Sequence, residues 1–403
     1  MHSERDAGTT GDSGWDRPST VSVPETECNL EDDDGDGLVD DGLAWEALNW
    51  QVLMNEPDTS EVQALRLADD SVAFAALATR QNPASSAIWL GLVDASGQSA
   101  TAVTRALDWT QIKGWGIALD GENGHLLLGY VVAPNGELHL ARYEFAEQVS
   151  PVGDAQVVPL SYSATRLFDL GWTRYGPVAL LGHEDGYARA EWLDRLGEND
   201  GWNHKLATIR PTVAKLAIAG AVGWIAAGHS DTSQAAVMAG VIALDGASEL
   251  VSPRNMAGSG GGTFPMMLET GSPSAWLDAH MWLTHTDDIK VSGIWLVRVT
   301  RFNPDADPGD STDTTHTKQN QDYATYSHSL AIARGNILAT SVTSDQVMLH
   351  RIGPDFEQVV PADTPTVIEE AREHAVVGGT TAPLVFRVRS DSDALDVATL
   401  GCP

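Results

Sequence analysis

The sequence is poor in cysteine, in positive charge and in long apolar runs. Its 403 residues include 2 cysteines, and 56 Asp and Glu outnumber 24 Lys and Arg, which gives a formal net charge of −32. No stretch provides the run of about 18 uncharged apolar residues that marks a membrane-spanning helix. Phosphate and anionic lipid surfaces are bound by basic proteins. We therefore expect no nucleic-acid partner and no transmembrane segment.

A helical period of 3.6 residues is also missing from almost the whole chain; "TVIEEAREHA" (366–375) is the main stretch that fits one. Instead, short β-rich runs alternate with turns rich in Gly, Asp, Asn and Pro, which is a strand pattern. From about Glu61 the runs come in groups of four. The first group reads "VQALRLAD", "SVAFAALAT", "AIWLGLVD" and "TAVTRAL".

The same group of four runs recurs, with further copies beginning near Gly114, Arg166, Thr212, Thr263, Ser327 and Val367. Four strands per unit, at a spacing of roughly 40–65 residues, is typical of β-propeller blades. We predict an all-β fold, a β-propeller of seven four-stranded blades. Six or eight blades and a pair of β-sandwiches are the alternatives.

A strand around Trp45–Met54 ("WEALNWQVLM") precedes the first full copy. A propeller must close into a ring, because each repeat buries its faces only against its neighbours. We predict that this strand completes the last blade, so that both ends of the chain share one sheet.

The N-terminal part is acidic and differs from the repeats. Residues 1–43 contain thirteen Asp/Glu and two Arg, a net charge of −11, which leaves −21 for the rest. We divide the chain into a disordered leader (1–27), an Asp-rich loop (28–43) and a propeller (44–403). "MHSERDAGTT" has no basic and apolar signal-peptide pattern, and we interpret it as a mature or truncated start. We expect an extracellular or cell-surface protein, with the periplasm as an alternative.

The Asp-rich loop has the spacing of a calcium loop. The loop lies in "CNLEDDDGDGLVDDG" (28–42), and its positions are counted from Asp32. Carboxylates stand at positions 1, 3, 5 and 9, glycine stands at position 6, and a backbone carbonyl is available at position 7. Hard oxygen ligands at this spacing suit Ca²⁺. The predicted ligands are Asp32, Asp34, Asp36, Leu38 and Asp40. Position 12 is Leu43 rather than Glu, so the loop is not an EF-hand. A solvated acidic linker is the alternative.

The loop resembles the short Asp-rich metal-binding repeat of secreted bacterial surface proteins, and also the thrombospondin type-3 calcium repeat. The resemblance covers about fifteen residues and implies export and a structural calcium ion. The family pattern has a Gly after "CN" and a second Cys where this sequence has Gly35. The ligand aspartates are unaffected, and Cys28 is left without a local partner.

Cys28 and Cys402 flank everything that is predicted to fold. We predict a disulfide between them, which in the chain-entropy model contributes at most about 6 kcal/mol and requires an oxidising compartment. Two free thiols are the alternative.

Three successive copies carry His-x-Asp, which we place in the turn between the second and third strands. His and Asp can bind metals or act as an acid–base pair, but they are also common turn residues. These pairs form the candidate binding face: His183 and Asp185, His229 and Asp231, and His285 and Asp287.

Two further features have structural interpretations. Trp89, Trp192 and Trp295 recur in the third run, as core packing between blades predicts. The polar segment 303–325 is predicted to be a long disordered loop.

These patterns favour an exported or cell-surface, non-catalytic and monomeric β-propeller, which binds a protein or glycan and carries structural Ca²⁺. No catalytic residue is assigned. One alternative is a propeller hydrolase or lyase whose site lies at the mouth of the central channel. The other is a surface protein that scavenges copper through His and Met.

Overall fold

The computed structural model describes residues 45–160, 163–173, 176–193, 199–205, 213–219, 222–229, 236–243, 249–255, 268–270, 281–289, 294–302, 313–320, 328–333, 336–343, 345–352, 366–379 and 382–402. All regular elements within these ranges are β-strands, as predicted. In the same ranges, no helix is long and apolar enough to cross a membrane.

The described strands form seven antiparallel sheets. In the first six sheets, the spatial order of the strands follows their order in the chain, starting from the first strand of the sheet. The first sheet contains β2 (Thr59–Arg66), β3 (Val72–Gln81), β4 (Ala84–Val93) and β5 (Thr104–Thr110). The second contains β6 (Ile112–Asp120), β7 (His125–Val132), β8 (Glu137–Phe145) and β10 (Gln156–Val158), and β9 (Val149–Pro151) also pairs with β8. The third contains β11 (Ala164–Thr173), β12 (Gly176–His183), β13 (Ala188–Leu193) and β14 (Asn199–Lys205).

The remaining sheets repeat this order. The fourth contains β15 (Val213–Ala219), β16 (Val222–His229), β17 (Ala236–Ala243) and β18 (Glu249–Asn255). The fifth contains β19 (Leu268–Thr270), β20 (Met281–Ile289), β21 (Ile294–Phe302) and β22 (Asp313–Asn320). The sixth contains β23 (His328–Ala333), β24 (Asn336–Thr343), β25 (Gln346–Ile352) and β26 (Thr366–Glu369).

The seventh sheet joins the two ends of the chain. It contains β27 (Ala371–Val377), β28 (Leu384–Arg389) and β29 (Leu395–Gly401), and its outer strand is β1 (Glu46–Met54). Glu46 pairs with Gly401, and Met54 pairs with Leu395. The prediction that the strand near Trp45–Met54 completes the last sheet is therefore confirmed.

The sheets stand next to one another in a closed ring. The first strands β2, β6, β11, β15, β19, β23 and β27 contact each other in that order, and β27 contacts β2 again. This arrangement is the predicted β-propeller. Several of the connections between sheets, such as 206–212 and 256–267, lie outside the described part of the chain, and the number of blades stays a prediction.

The first, second, third and seventh sheets bury apolar side chains on both faces, which explains their apolar runs. All eight residues of β12, "GPVALLGH", are buried. One apolar cluster joins the first sheet to the second through Leu77, Leu90 and Trp115. Another joins the second to the third through Leu127, Leu138 and Leu181. Such double burial replaces strict alternation by nearly continuous apolar strands.

Single polar side chains connect neighbouring first strands within this apolar packing. In three pairs of adjacent sheets, a polar side chain on one first strand accepts a hydrogen bond from a backbone N–H on the next. The pairs are Gln63 with Ile117 (3.2 Å), Asp169 with Leu216 (2.9 Å) and Ser329 with Val376 (3.0 Å). Each contact provides an acceptor for an N–H group between two sheets, where an unpaired donor is costly.

Between the second and third sheets, a glycine allows the first strands to approach closely. A Cβ on Gly114, whose φ is +107°, would lie 2.2 Å from the carbonyl oxygen of Leu167. Only glycine adopts this conformation without strain and leaves room for the neighbouring backbone.

Residues 366–375, the main stretch with a helical period, do not form a helix. The segment forms β26 and β27, which belong to different sheets. Glu370 separates them with a φ of 56°, and the N–H of Ala371 donates to the carbonyl oxygen of Asp345 (2.8 Å). Burial of Ile368 and of Val376 between sheets outweighs the helix propensity of the Glu and Ala residues.

The prediction of a disordered loop over 303–325 is wrong in part. Residues Asp313–Asn320 form β22, which pairs with β21 through main-chain hydrogen bonds despite its polar composition. An outer strand has one free edge and needs fewer apolar residues than an inner strand, so hydrophobic patterning alone misses it.

We predict that Asp169→Ala lowers the free energy of unfolding by about 1–3 kcal/mol, because the N–H of Leu216 loses its acceptor inside the ring. Asp169→Asn keeps an acceptor oxygen and should cost less. Denaturant unfolding of the full chain measures both changes. Asp154→Ala, at an exposed position, is the control, and equal losses for Asp154→Ala and Asp169→Ala would contradict the prediction.

Candidate functional site

The candidate site lies on the turn face, which we define as the face of the ring where second strands are joined to third strands. In the third sheet, His183 ends β12, and Asp185 lies in the turn before β13. A carboxylate oxygen of Asp185 accepts a hydrogen bond from the N–H of Tyr187 (3.1 Å), and the N–H of His183 donates to the carbonyl oxygen of Tyr187 (3.0 Å). Asp185 therefore stabilises its own turn, as Asp commonly does.

The imidazole of His183 points into the sheet interface. Its Nε2 lies 2.9 Å from Oε1 of Glu191 on β13, and the side chains are 1% and 0% exposed. Beside this pair, the guanidinium of Arg189 forms an ion pair with Asp185. Because His183 and Glu191 are both buried, loss of either one would leave a buried polar group without its partner, which is costly. His183 and Asp185 thus meet charged groups of their own hairpin instead of facing solvent together.

The other predicted pairs are placed differently. His229 ends β16, as predicted, whereas Asp231 lies outside the described residues. The placement of His285 and Asp287 in a turn is wrong, because β20 continues to Ile289 and these residues pair with Arg298 and Leu296 of β21. The described residues therefore do not bring the three His-x-Asp pairs together at equivalent positions.

The sequence analysis missed a polar cluster where the seventh sheet meets the first. The backbone N–H of Asp58 donates to the carboxylate of Asp393 (2.8 Å), which also forms an ion pair with Arg372 (2.7 Å). Arg372 in turn donates to the carbonyl oxygen of Thr59. Asp58 and Asp393 both have a positive φ, 67° and 60°. These residues are too far apart in the chain for any local sequence pattern to connect them.

A second polar cluster lies within the seventh sheet. Asp396 is fully buried and accepts hydrogen bonds from Arg387 (3.2 Å) and Arg389 (2.6 Å). The hydrogen bond to Asp396 and its negative charge raise the pKa of Arg389 above its usual value. The adjacent His374 contacts Thr340 of the sixth sheet through Nε2 at 2.5 Å. The arginines and Asp396 hold β28 to β29, and His374 links the seventh sheet to the sixth.

The predicted calcium ligands Asp32, Asp34, Asp36, Leu38 and Asp40 lie outside the described residues, and so does Cys28. Cys402, directly after β29, is partly buried against the apolar cluster that contains Trp45. Within the described ranges, no group of three or more His, Cys, Asp or Glu side chains is arranged to hold a metal ion.

The recurring tryptophans occupy third strands, as predicted: Trp89 in β4, Trp192 in β13 and Trp295 in β21. Trp89 packs against the apolar cluster between the seventh and first sheets, and the guanidinium of Arg105 lies 4.5 Å above its ring. Its ring is therefore used for packing and a cation–π contact.

No protein-family model and no curated protein matches this sequence. The fold is similar to solved β-propellers. The Dos1 propeller has 11% sequence identity and a TM-score of 0.50, over 90% of this chain and 96% of that chain. The β-propeller domain of Myceliophteria thermophila Cps50 (Swd1) has 9% sequence identity and a TM-score of 0.48, over 88% of this chain and 99% of that chain. The β-propeller domain of the Trilobed protease from Pyrococcus furiosus has 7% sequence identity and a TM-score of 0.46, over 84% of this chain and 93% of that chain. At these identities the comparison establishes the β-propeller fold alone.

We predict that Glu191→Ala destabilises the protein by about 1–3 kcal/mol, because it leaves the buried imidazole of His183 without its carboxylate partner. Glu191→Gln should cost less, since the amide oxygen can still accept a hydrogen bond. Thermal unfolding measures both variants. The exposed neighbour Glu184 provides the control: Glu184→Ala should change stability by less than about 0.5 kcal/mol. An unchanged melting temperature for Glu191→Ala would show that the pair does not support the turn.

Proposed function

We propose that this chain is an exported or cell-surface β-propeller without catalytic activity, which binds a protein or a glycan through its turn face and carries one structural Ca²⁺. The observation that carries the non-catalytic assignment is the burial of His183 against Glu191. A general acid or base must reach the substrate, and this imidazole is enclosed between sheets. The hydrolase or lyase alternative has no such supporting observation.

The turn face suits a binding role. Its turns stand on a ring of sheets whose interfaces are apolar and closely packed. Turns held by such a scaffold are the usual positions of binding residues in proteins. The exposed side chains of the described turns are polar in large part. Acidic residues are among them, including Glu184, Asp345 and Asp391. Polar groups of this kind can form hydrogen bonds with a glycan or with a complementary protein surface.

The proposed calcium site consists of the carboxylates of Asp32, Asp34, Asp36 and Asp40 and the carbonyl of Leu38. Gly37, between the third ligand and the carbonyl, suits the sharp turn that such a loop needs. The loop ends shortly before Trp45, whose side chain is completely buried. Calcium bound there would order the chain just before it enters the propeller, which is a structural role.

Export is supported by the same loop and by the cysteines. Weak calcium sites, with dissociation constants of about 10⁻⁴–10⁻³ M, are characteristic of extracellular modules. A protein disulfide is stable in an oxidising compartment. Together these features favour a location outside the cytoplasm.

We predict that the full chain binds one Ca²⁺ in a calorimetric titration, and that changing Asp32, Asp34 and Asp36 together to Asn abolishes the binding. Asparagine retains one oxygen at each position but removes the three negative charges that attract the cation.

The matched control changes Asp305, Asp307 and Asp310 to Asn, which removes the same charge from a segment without calcium-loop spacing. This control should bind Ca²⁺ as the original chain does. Absence of binding by the original chain would leave the Asp-rich loop as a solvated linker. Equal loss in both variants would indicate a nonspecific charge effect.

We further propose a disulfide between Cys28 and Cys402. Cys402 lies at the end of β29, the strand that pairs with β1, so the bond would fasten the chain ends beside the closing sheet. Peptide mapping of the unreduced protein should recover the two cysteines in one linked peptide. Reduction should lower the free energy of unfolding by no more than about 6 kcal/mol. Two alkylated cysteines in the unreduced protein would refute the bond.

A further inference from the structure

The segment Trp45–Trp50, which we name the closing segment, contacts more than the sheet it completes. Trp45 precedes β1 and is 0% exposed. It belongs to an apolar cluster formed by both the sixth and the seventh sheets. The members from the sixth sheet are Ala331, Ala333, Leu338, Val347, Leu349 and Ile368, and those from the seventh are Ala371, Val376, Val385, Ala398 and Leu400.

The direct contacts of Trp45 include two to the sixth sheet. The guanidinium of Arg351, on β25, lies 3.9 Å from the centre of the indole ring. The hydroxyl of Thr366, on β26, donates a hydrogen bond to the carbonyl oxygen of Trp45. Trp45 thus connects the sixth sheet to a strand that pairs with the seventh.

Trp50 has a different partner. The guanidinium of Arg387, on β28, lies 4.0 Å from the centre of its ring. Arg387 is itself held by Asp396, within the same sheet. Trp50 is partly buried and also packs against the cluster that contains Trp45. Its aromatic contact with Arg387 holds β1 to the seventh sheet, whereas the contacts of Trp45 with Arg351 and Thr366 reach the sixth sheet.

Strand pairing alone holds β1 less regularly than the other strands of this sheet. Its register with β29 shifts twice, between Leu48 and Gln51 and again between Val52 and Met54. Asn49 has a φ of 57°, and Val52 is 58% exposed. Side chains add to this pairing at both ends of β1: Met54 packs in the cluster between the seventh and first sheets, and Trp45 packs in the cluster between the sixth and seventh.

We propose that the closing segment is a releasable latch between the sixth and seventh sheets. With Trp45 in place, the cluster is filled and the two sheets are joined. When Trp45 leaves, the cluster loses its largest side chain and the ring opens at this junction. Because the chain N-terminal to Trp45 is directly attached to it, a pull on the N-terminal part acts first on this latch.

Hydrogen exchange of the full-length variants Trp45→Ala, Trp50→Ala and Trp109→Ala tests the proposal. For Trp45→Ala we expect amides of β24, β25, β28 and β29 to exchange on the order of a hundredfold faster, while those of β3 and β7 keep their rates. For Trp50→Ala the increase should be confined to the seventh sheet. Trp109, on β5, also stacks under an arginine, Arg80 at 3.6 Å, and its loss should affect the first sheet alone.

The milder variants Trp45→Phe and Thr366→Val should also speed amide exchange in both the sixth and the seventh sheets, with smaller increases. They test the proposal even if Trp45→Ala fails to fold. An increase confined to β1 and β29 would overturn the proposal, because Trp45 would then serve only its own strand. An equal increase in every sheet would also overturn it. If Trp50→Ala loosened the sixth sheet as well, the connection could not be assigned to Trp45.

Discussion

The structure depends on one constraint: the sheets whose side chains are described on both sides, the first, second, third and seventh, are apolar on both faces. An isolated sheet of this composition would expose a large apolar surface to water, so each sheet must have a neighbour on both sides. A row of sheets meets this condition only if its two ends join. The pairing of β1 with β29 and the contact of β27 with β2 provide that junction. Strands from opposite ends of the chain therefore have to meet before the apolar surface is fully buried.

The junction between the last and first sheets is reinforced by two arginines at opposite ends of β2. Arg66 donates to the carbonyl oxygens of Gly378 and Ala382, both between β27 and β28. Arg372 donates to the carbonyl oxygen of Thr59, at the start of β2. Arginine suits this position because its fixed planar donors reach several backbone acceptors at once. Burial lowers the pKa of Arg66, although Asp70 nearby partly offsets this effect.

The same constraint bears on function. Side chains that point between sheets are used for packing or for satisfying each other, as His183 with Glu191 and His374 with Thr340 show. Groups available to a partner must therefore come from the turns and from the rims of the sheets. A β-propeller supports many unrelated functions, so the proposed binding role depends on the turn face of this chain and on its Asp-rich loop.

Local patterns in the sequence were sufficient for the strands and for much of the topology. Apolar runs and turn residues predicted the recurring third strands, and Trp45–Met54 was correctly placed on the last sheet, because strand signals repeat every few residues and a ring must close. The helical period of residues 366–375 did not indicate their structure, since the local helix preference is weaker than burial between sheets. His285 and Asp287 were misplaced because no local signal marked how far β20 extends.

By itself, the sequence determined that this protein is an all-β repeat fold with an acidic N-terminal segment, because period-two patterns and charge are properties of neighbouring residues. Only the tertiary structure decided that His183 meets Glu191, that Arg372 meets Asp393, and that Trp45 joins the sixth sheet to the seventh. The first two contacts depend on the register of strands within a sheet, and the third depends on the packing of one sheet against the next. No local period in the sequence records which side chains meet in these ways.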